Sequence, residues 1–294
     1  MDNTTEKHEC NGDCGHCAHA EEERRAIADC KLRKNLSGVK RAVVVLSGKG
    51  GVGKSTVAAN LAAAFAAGGA RVGLLDVDVH GPSVVEMFGL RDAALEATED
   101  GTIFPVDAAG VKVMSVGLAV PDPDAAIVWR GPMKLGVIRQ FLENVAWGEL
   151  DWLVVDAPPG TGDEPLTVCQ SLPETMARAA VVVTTPQKVA AADVSRSLSF
   201  CEQLSFPIAG IVENMAGFVC PHCGERVEIF SAGAADRLAA KYGVPVLGRI
   251  PLDPRVCASG DAGEPFAAAA AGTPAGDAFA GIVAAIAAAP AFTA

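Results

Sequence analysis

Residues 48–56 read Gly48-Lys49-Gly50-Gly51-Val52-Gly53-Lys54-Ser55-Thr56. An apolar run, Val43-Val44-Val45-Leu46, leads into this stretch, and an alanine-rich segment of helical character leads out of it to Gly68-Gly69. Strand, glycine loop and helix in that order are what a phosphate-binding P-loop needs. They predict an α/β fold built on a mostly parallel sheet flanked by helices. The glycines let backbone N–H groups turn inward around an anion, and the helix N-terminus adds partial positive charge. Lys54 is placed to reach the β- and γ-phosphates and Ser55 to offer a hydroxyl to Mg²⁺. All nine residues, Gly48 to Thr56, are therefore candidate nucleotide contacts.

Lys49 adds a second signal. A lysine directly after the first glycine resembles the deviant Walker A motif, in which this side chain contacts the nucleotide held by a partner subunit. A cation delivered across an interface to developing phosphate charge acts as an arginine finger does. On this expectation nucleotide binding and dimerisation are coupled.

Two acidic strand ends complete the nucleotide side. Arg71–Asp76 reads as a buried strand ending in Asp76-Val77-Asp78-Val79-His80-Gly81-Pro82-Ser83, with Pro82 opening a helix to Phe88. Asp78 is the candidate for positioning the attacking water, with Asp76 in a supporting place; loop capping is the competing role for both. Trp152–Asp156 is an apolar strand capped by an acid and followed by Ala157-Pro158-Pro159-Gly160-Thr161-Gly162-Asp163-Glu164. Asp156 stands where a Walker B carboxylate holds Mg²⁺, and Gly160 is expected to aim its N–H at the γ-phosphate. Such carboxylates belong at the C-terminal ends of the strands, where open α/β sheets bind ligands.

The remaining chain alternates likewise. Residues 102–116 predict two short β-rich runs around Asp107–Gly110, a hairpin or an edge pair, and Met133–Ala146 an amphipathic helix after Trp129-Arg130. Strands follow at 180–184, 208–213 and 245–250, helices at about 189–204 and 232–241. Thr273-Pro274 starts a C-terminal helix, Ala275–Ala289, of small apolar residues. Three regions result: a flexible Cys-rich metal-binding arm, 1–36; the P-loop domain, 37–266; and an alanine-rich tail packed on it, 267–294.

Nine cysteines in a chain with no signal peptide and no apolar run of about 18 residues point to a reducing cytoplasm and to metal ligation. Cys10, Cys14 and Cys17 crowd into eight residues, and a helix over 21–29 would return Cys30 to them. Four thiolates suit a 4Fe–4S cluster or a zinc site. Farther on, Cys220-Pro221-His222-Cys223 supplies half a tetrahedral site in a loop after strand 208–213. Its missing partners could be Cys14 and Cys17, His222, or the same pair of a second copy across a two-fold axis; a redox dithiol is a further alternative. Cys169 and Cys201 read as buried helical thiols; Cys257, on a short segment near Pro254, is left unassigned, with core packing favoured.

The formal charge of −11 argues against a nucleic-acid backbone as partner. No Lys or Arg follows Arg255, so the tail lacks the basic face of a membrane-surface helix.

Together GKGGVGKST (48–56), DVDVHGPS (76–83), WRGPMK (129–134), DAPPGTGDE (156–164), TTPQKVA (184–190), ENMAGFVCPHC (213–223) and IPLDPRV (250–256) resemble the Mrp/ApbC (Nbp-type) iron–sulfur carrier ATPases. These form part of the deviant Walker A group that includes MinD, ParA and nitrogenase iron protein. The resemblance implies a homodimer with ATP at its interface and a labile 4Fe–4S cluster bridging Cys220 and Cys223 of each subunit. It also implies an adenine contact from Asn214, slow ATP hydrolysis, and cluster delivery to apo-proteins. The arm departs from the pattern: its x₃, x₂, x₁₂ spacing leaves Cys30 the outlying thiol. ATP is preferred to GTP by the same resemblance and by the lack of an Asn-Lys-x-Asp motif. The competing functions are a positioning ATPase of the MinD/ParA kind and a P-loop ATPase with a structural zinc site.

Overall fold

The computed structural model describes residues 29–79, 81–120, 131–220, 222–230 and 233–293. Cys10, Cys14, Cys17, Trp129 and Arg130 lie outside them, as does most of the proposed arm helix.

Among the described residues eleven strands follow in chain order: β1 Arg41–Ser47, β2 Val72–Asp76, β3 Glu96–Ala97, β4 Ile103–Phe104, β5 Val106–Ala108, β6 Val111–Ser115, β7 Trp152–Asp156, β8 Ala177–Thr184, β9 Ile208–Val219, β10 Arg226–Val227 and β11 Val246–Leu252. β3 and β4 form a small separate ribbon. The main sheet runs β11-β9-β8-β1-β7-β2-β6-β5, all parallel except the edge strand β5, with β10 folded back on the end of β9. Six parallel pairings require crossovers, and the intervening helices cover both faces.

The central strands are apolar throughout because both faces are buried. Val43 and Val45 point to one core with Leu74, Val113 and Val154; Val44 and Leu46 point to the other with Leu75, Met114 and Val155. The helix Lys54–Ala67 lies against the first face, its alanines letting it approach the sheet closely. Phe279, Ile282 and Ile286 of the helix Pro274–Ala287 join the same core. Thr273 caps that helix by accepting from the Gly276 N–H, with Pro274 in its first turn. The β5–β6 hairpin turns on Ala109 and Gly110, both at positive φ, as a two-residue turn of the right hand demands.

Two sequence expectations change. β9 extends six residues beyond 213, because β11 continues to pair with it as far as Phe218 and β10 pairs Phe218 and Val219. Cys257 is exposed, on the helix Pro254–Asp261, where Asp253 caps the start and no residue is buried. Cys169 and Cys201 are buried in their helices. Among the described residues no helix is long and apolar enough to cross a membrane.

Candidate functional site

β1 ends at Ser47 and the chain turns through the glycine loop into the helix beginning at Lys54. Gly51 and Gly53 both adopt positive φ, +78° and +79°, and so bend the backbone where an L side chain would be strained. A Cβ on Gly50 or Gly51 would meet nothing within 4 Å, so this side of the loop faces open space. A Cβ on Gly53 would lie 2.2 Å from Asn214 Nδ2, and one on Gly48 would strike the Asp193 backbone at 2.2 Å. The loop is thus clamped between β9 and the helix Lys188–Gln203. Lys49 is half-buried on it.

The acidic strand ends meet at the same place. Asp76 and Asp156 are register partners on adjacent parallel strands, and both are wholly buried. Lys54 Nζ donates to Asp156 Oδ1 at 2.5 Å and lies 3.4 Å from Asp78 Oδ2 and 3.2 Å from Ser55 Oγ. Asp76 accepts from the Asp78 N–H at 3.0 Å and from Ser115 Oγ at 2.8 Å, so it braces the loop that carries Asp78. Burial, and then the charge on Asp156, pushes the Asp76 carboxyl up to about 8. Burial likewise raises Asp156, against the pull of Lys54. The Lys54 ammonium is disfavoured by burial, yet its neighbours Asp156, Asp78 and Asp76 hold its pKa above the ordinary value.

Three buried carboxyl groups thus surround one ammonium. Asp156 Oδ2 is buried without a hydrogen-bond partner among the described residues. A hard cation suits that oxygen with Ser55 Oγ beside it, and phosphate oxygens and water would complete its shell. No three His, Cys, Asp or Glu among the described residues form a metal cage by themselves. The Gly160 N–H, expected at the γ-phosphate, donates instead to the Ser47 carbonyl at 2.8 Å and ties this loop to the end of β1. Lys134 of the 129–134 motif pairs with Glu164 at 3.0 Å, which joins two of the sequence signatures.

A cleft of about 350 Å³ opens from Gly53 and Thr56, passes Asn214 and Met215, and is closed by Pro251, Leu252 and Phe266. Its size and apolar walls suit a nucleoside. Asn214 donates Nδ2 to the Val52 carbonyl at 2.9 Å, so it is part of the loop's support.

The thiols stand at the far end of β9. Cys220 and Gly224 close a tight hairpin tip, with Cys220 N–H to Glu225 O at 2.9 Å and Gly224 N–H to Cys220 O at 2.8 Å. The Cys223 and His222 N–H groups and the Cys223 thiol point at the Cys220 sulfur and lower its pKa. Cys223 is exposed beside it in sequence, and Cys30 is exposed with no disulfide partner among the described residues. Cys220 also lines a second cleft, about 490 Å³, whose wall Pro251–Leu252–Asp253 is shared with the first.

Sequence reasoning did not single out Asn60, Met215, Ser115 or Phe266. Asn60 had a visible signal, a lone amide in an alanine-rich helix; the others became visible only through contacts between distant segments.

A family model, ParA, described as NUBPL iron-transfer P-loop NTPase, matches residues 38–287. An iron-sulfur cluster carrier protein of Methanocaldococcus jannaschii is 47% identical over 264 residues, covering 88% of this chain and 90% of that protein. The cytosolic Fe-S cluster assembly factor NUBP2 of Homo sapiens is 47% identical over 243 residues, 82% and 90% of the two chains. Among solved structures, a nucleotide-binding protein from Archaeoglobus fulgidus in complex with ADP is 42% identical with a TM-score of 0.69, covering 80% of this chain and 91% of that one. The septum site-determining protein MinD of Pyrococcus horikoshii, at 20% identity and a TM-score of 0.60 over 83% and 94%, shares the fold.

Proposed function

The chain belongs to the ParA family of NUBPL iron-transfer P-loop NTPases, and on that premise we propose that it is an ATP-hydrolysing carrier of 4Fe–4S clusters. Two copies hold one cluster as cargo between Cys220 and Cys223 of each, and pass it to apo-proteins in the cytoplasm. The observation that carries this reading is the route from the P-loop to the thiols. Asn214 is bonded to Val52 and lies on β9, whose last residue, Val219, adjoins Cys220, and the 251–253 wall faces both clefts.

In this account the loop N–H groups of residues 48–56 take the phosphates, and Lys54 turns from Asp156 to the β- and γ-oxygens. Ser55 and Asp156 would hold Mg²⁺, which when bound would neutralise phosphate charge. Asp78 orients a water; its oxygen forms the new bond to the γ-phosphorus while the bond to ADP breaks. Lys49 reaches the partner's nucleotide and so tightens the dimer only when phosphate is present. Asn214 shifts with the loop it supports, and the hairpin tip moves with β9, which changes the exposure of the thiolates. The cysteines of the arm, Cys10, Cys14, Cys17 and Cys30, hold a second metal centre in the same proposal.

Transfer of cluster from reconstituted protein to an apo 4Fe–4S acceptor tests the coupling. Mg-ATP should change the transfer rate relative to no nucleotide or ADP, and Lys49→Ala should abolish that response. Identical kinetics in all three conditions would remove nucleotide from the mechanism.

A further inference from the structure

Asn60 is the only polar residue between Val57 and Ala67 of the P-loop helix, and it is 3% exposed. An amide at such a position competes with the helix unless both its ends are used. Both are: Nδ2 donates to the Thr56 carbonyl at 2.8 Å, and Oδ1 accepts from the Ala267 N–H at 2.8 Å, across 207 residues of sequence. Ala267 lies in the short turn Phe266–Ala268. Asn60 therefore fixes that turn to the helix whose first turn forms the phosphate loop.

Phe266 is the residue this bond places. It is 9% exposed, and it shares the walls of the 350 Å³ cleft with Asn60, Thr56 and Gly53. Arg255 lies 5.9 Å from its ring centre. With phosphates held at residues 48–56, the remainder of a nucleotide extends along this cleft. Among the described residues Phe266 is the only aromatic side chain that lines it, and a planar base gains most from an aromatic face.

We propose that Phe266 is the platform on which the nucleotide base rests, and that Asn60 is the positioning residue that sets its height above the phosphate loop. This rests on the reading of the cleft as a nucleotide site. It accounts for a buried amide in an otherwise apolar helix, which phosphate binding alone does not require.

The full chain is titrated with Mg-ATP and, separately, with Mg-tripolyphosphate, which has the phosphates but no base. Phe266→Leu should weaken ATP about tenfold and leave tripolyphosphate unchanged. Phe266→Tyr should keep wild-type affinity, because the ring is retained. Asn60→Ala should move ATP in the same direction as Phe266→Leu, again without affecting tripolyphosphate. Unchanged tripolyphosphate binding also certifies that the variants are folded. ATP affinity of Phe266→Leu within twofold of wild type, or equal losses for both probes, would overturn the platform. Wild-type protein that binds neither probe would instead overturn the nucleotide reading on which it stands.

Discussion

Asn214 donates its side-chain amide to the carbonyl of Val52 at 2.9 Å, bonding β9 to the phosphate loop across 162 residues of sequence. Gly53, the next residue, has no room for a side chain because that same amide would lie 2.2 Å from its Cβ. The loop's shape thus depends on β9 as much as on its own glycines.

Gly53→Ala should accordingly fail twice, through the contact with Asn214 and through a φ of +79° that costs about 1–3 kcal/mol for a residue with a Cβ. Asn214→Ala, which leaves the Val52 carbonyl without its donor, should cost about 1 kcal/mol. In the double variant the two losses should sum to more than is observed, because the clash has gone. Denaturant unfolding of the four proteins measures this.

Met215 carries a φ of +58° inside β9, between the residue that touches the loop and the thiol pair. A bulky residue held there stores strain that glycine would release. Met215→Gly should change global stability by less than about 1 kcal/mol, since relief of strain and the entropy of glycine oppose one another. Its effect should fall on coupling: the change in cluster-transfer rate on adding ATP should shrink.

Lys54 is the buried cation that balances Asp156 and Asp78. Lys54→Ala should cost about 3–5 kcal/mol at neutral pH, because Asp156 must then either stay charged without its partner or hold a proton that unfolded chains release. The sign with pH follows from the raised Asp156 pKa. Unfolded chains lose this proton near 4 while the folded variant keeps it, so the variant's stability declines as pH climbs above about 4. Thermal unfolding of both proteins at pH 5 and pH 8 should show the gap widening at the higher value.

Thiol reactivity in cluster-free protein should follow the surroundings of each sulfur. Cys169 and Cys201, pushed up to about 12 by burial, should resist iodoacetamide at pH 8 in the folded state. Cys220, lowered by the N–H groups of Cys223 and His222, should be alkylated at pH values where a free cysteine is still protonated. Peptide mapping after timed quenching separates the sites.

The fold, and the meeting of the glycine loop with the acidic strand ends, were legible because they rest on local patterns. Val43–Leu46, Gly48–Thr56 and the acid after Trp152–Val155 each announce their place within a dozen residues. Long-range contacts were not legible. The Asn60–Ala267 bond, the bracing of Asp76 by Ser115, and the wall shared by two clefts join segments that the sequence keeps far apart. The length of β9 was misjudged for the same reason. Its last six residues are strand only because β11 and β10 pair with them. Cys257 shows the converse error: a thiol in a chain rich in buried apolar residues, yet placed on a short helix that buries nothing.

The central claim is that one cluster is shared by four sulfurs from two chains. Native mass spectrometry of anaerobically reconstituted protein, with Cys10, Cys14, Cys17 and Cys30 changed to Ser, measures it most directly. The account predicts a dimer carrying one 4Fe–4S cluster, lost when Cys220 and Cys223 are also changed to Ser. A single chain that carries the cluster alone, or a dimer whose iron survives loss of both thiols, would contradict it.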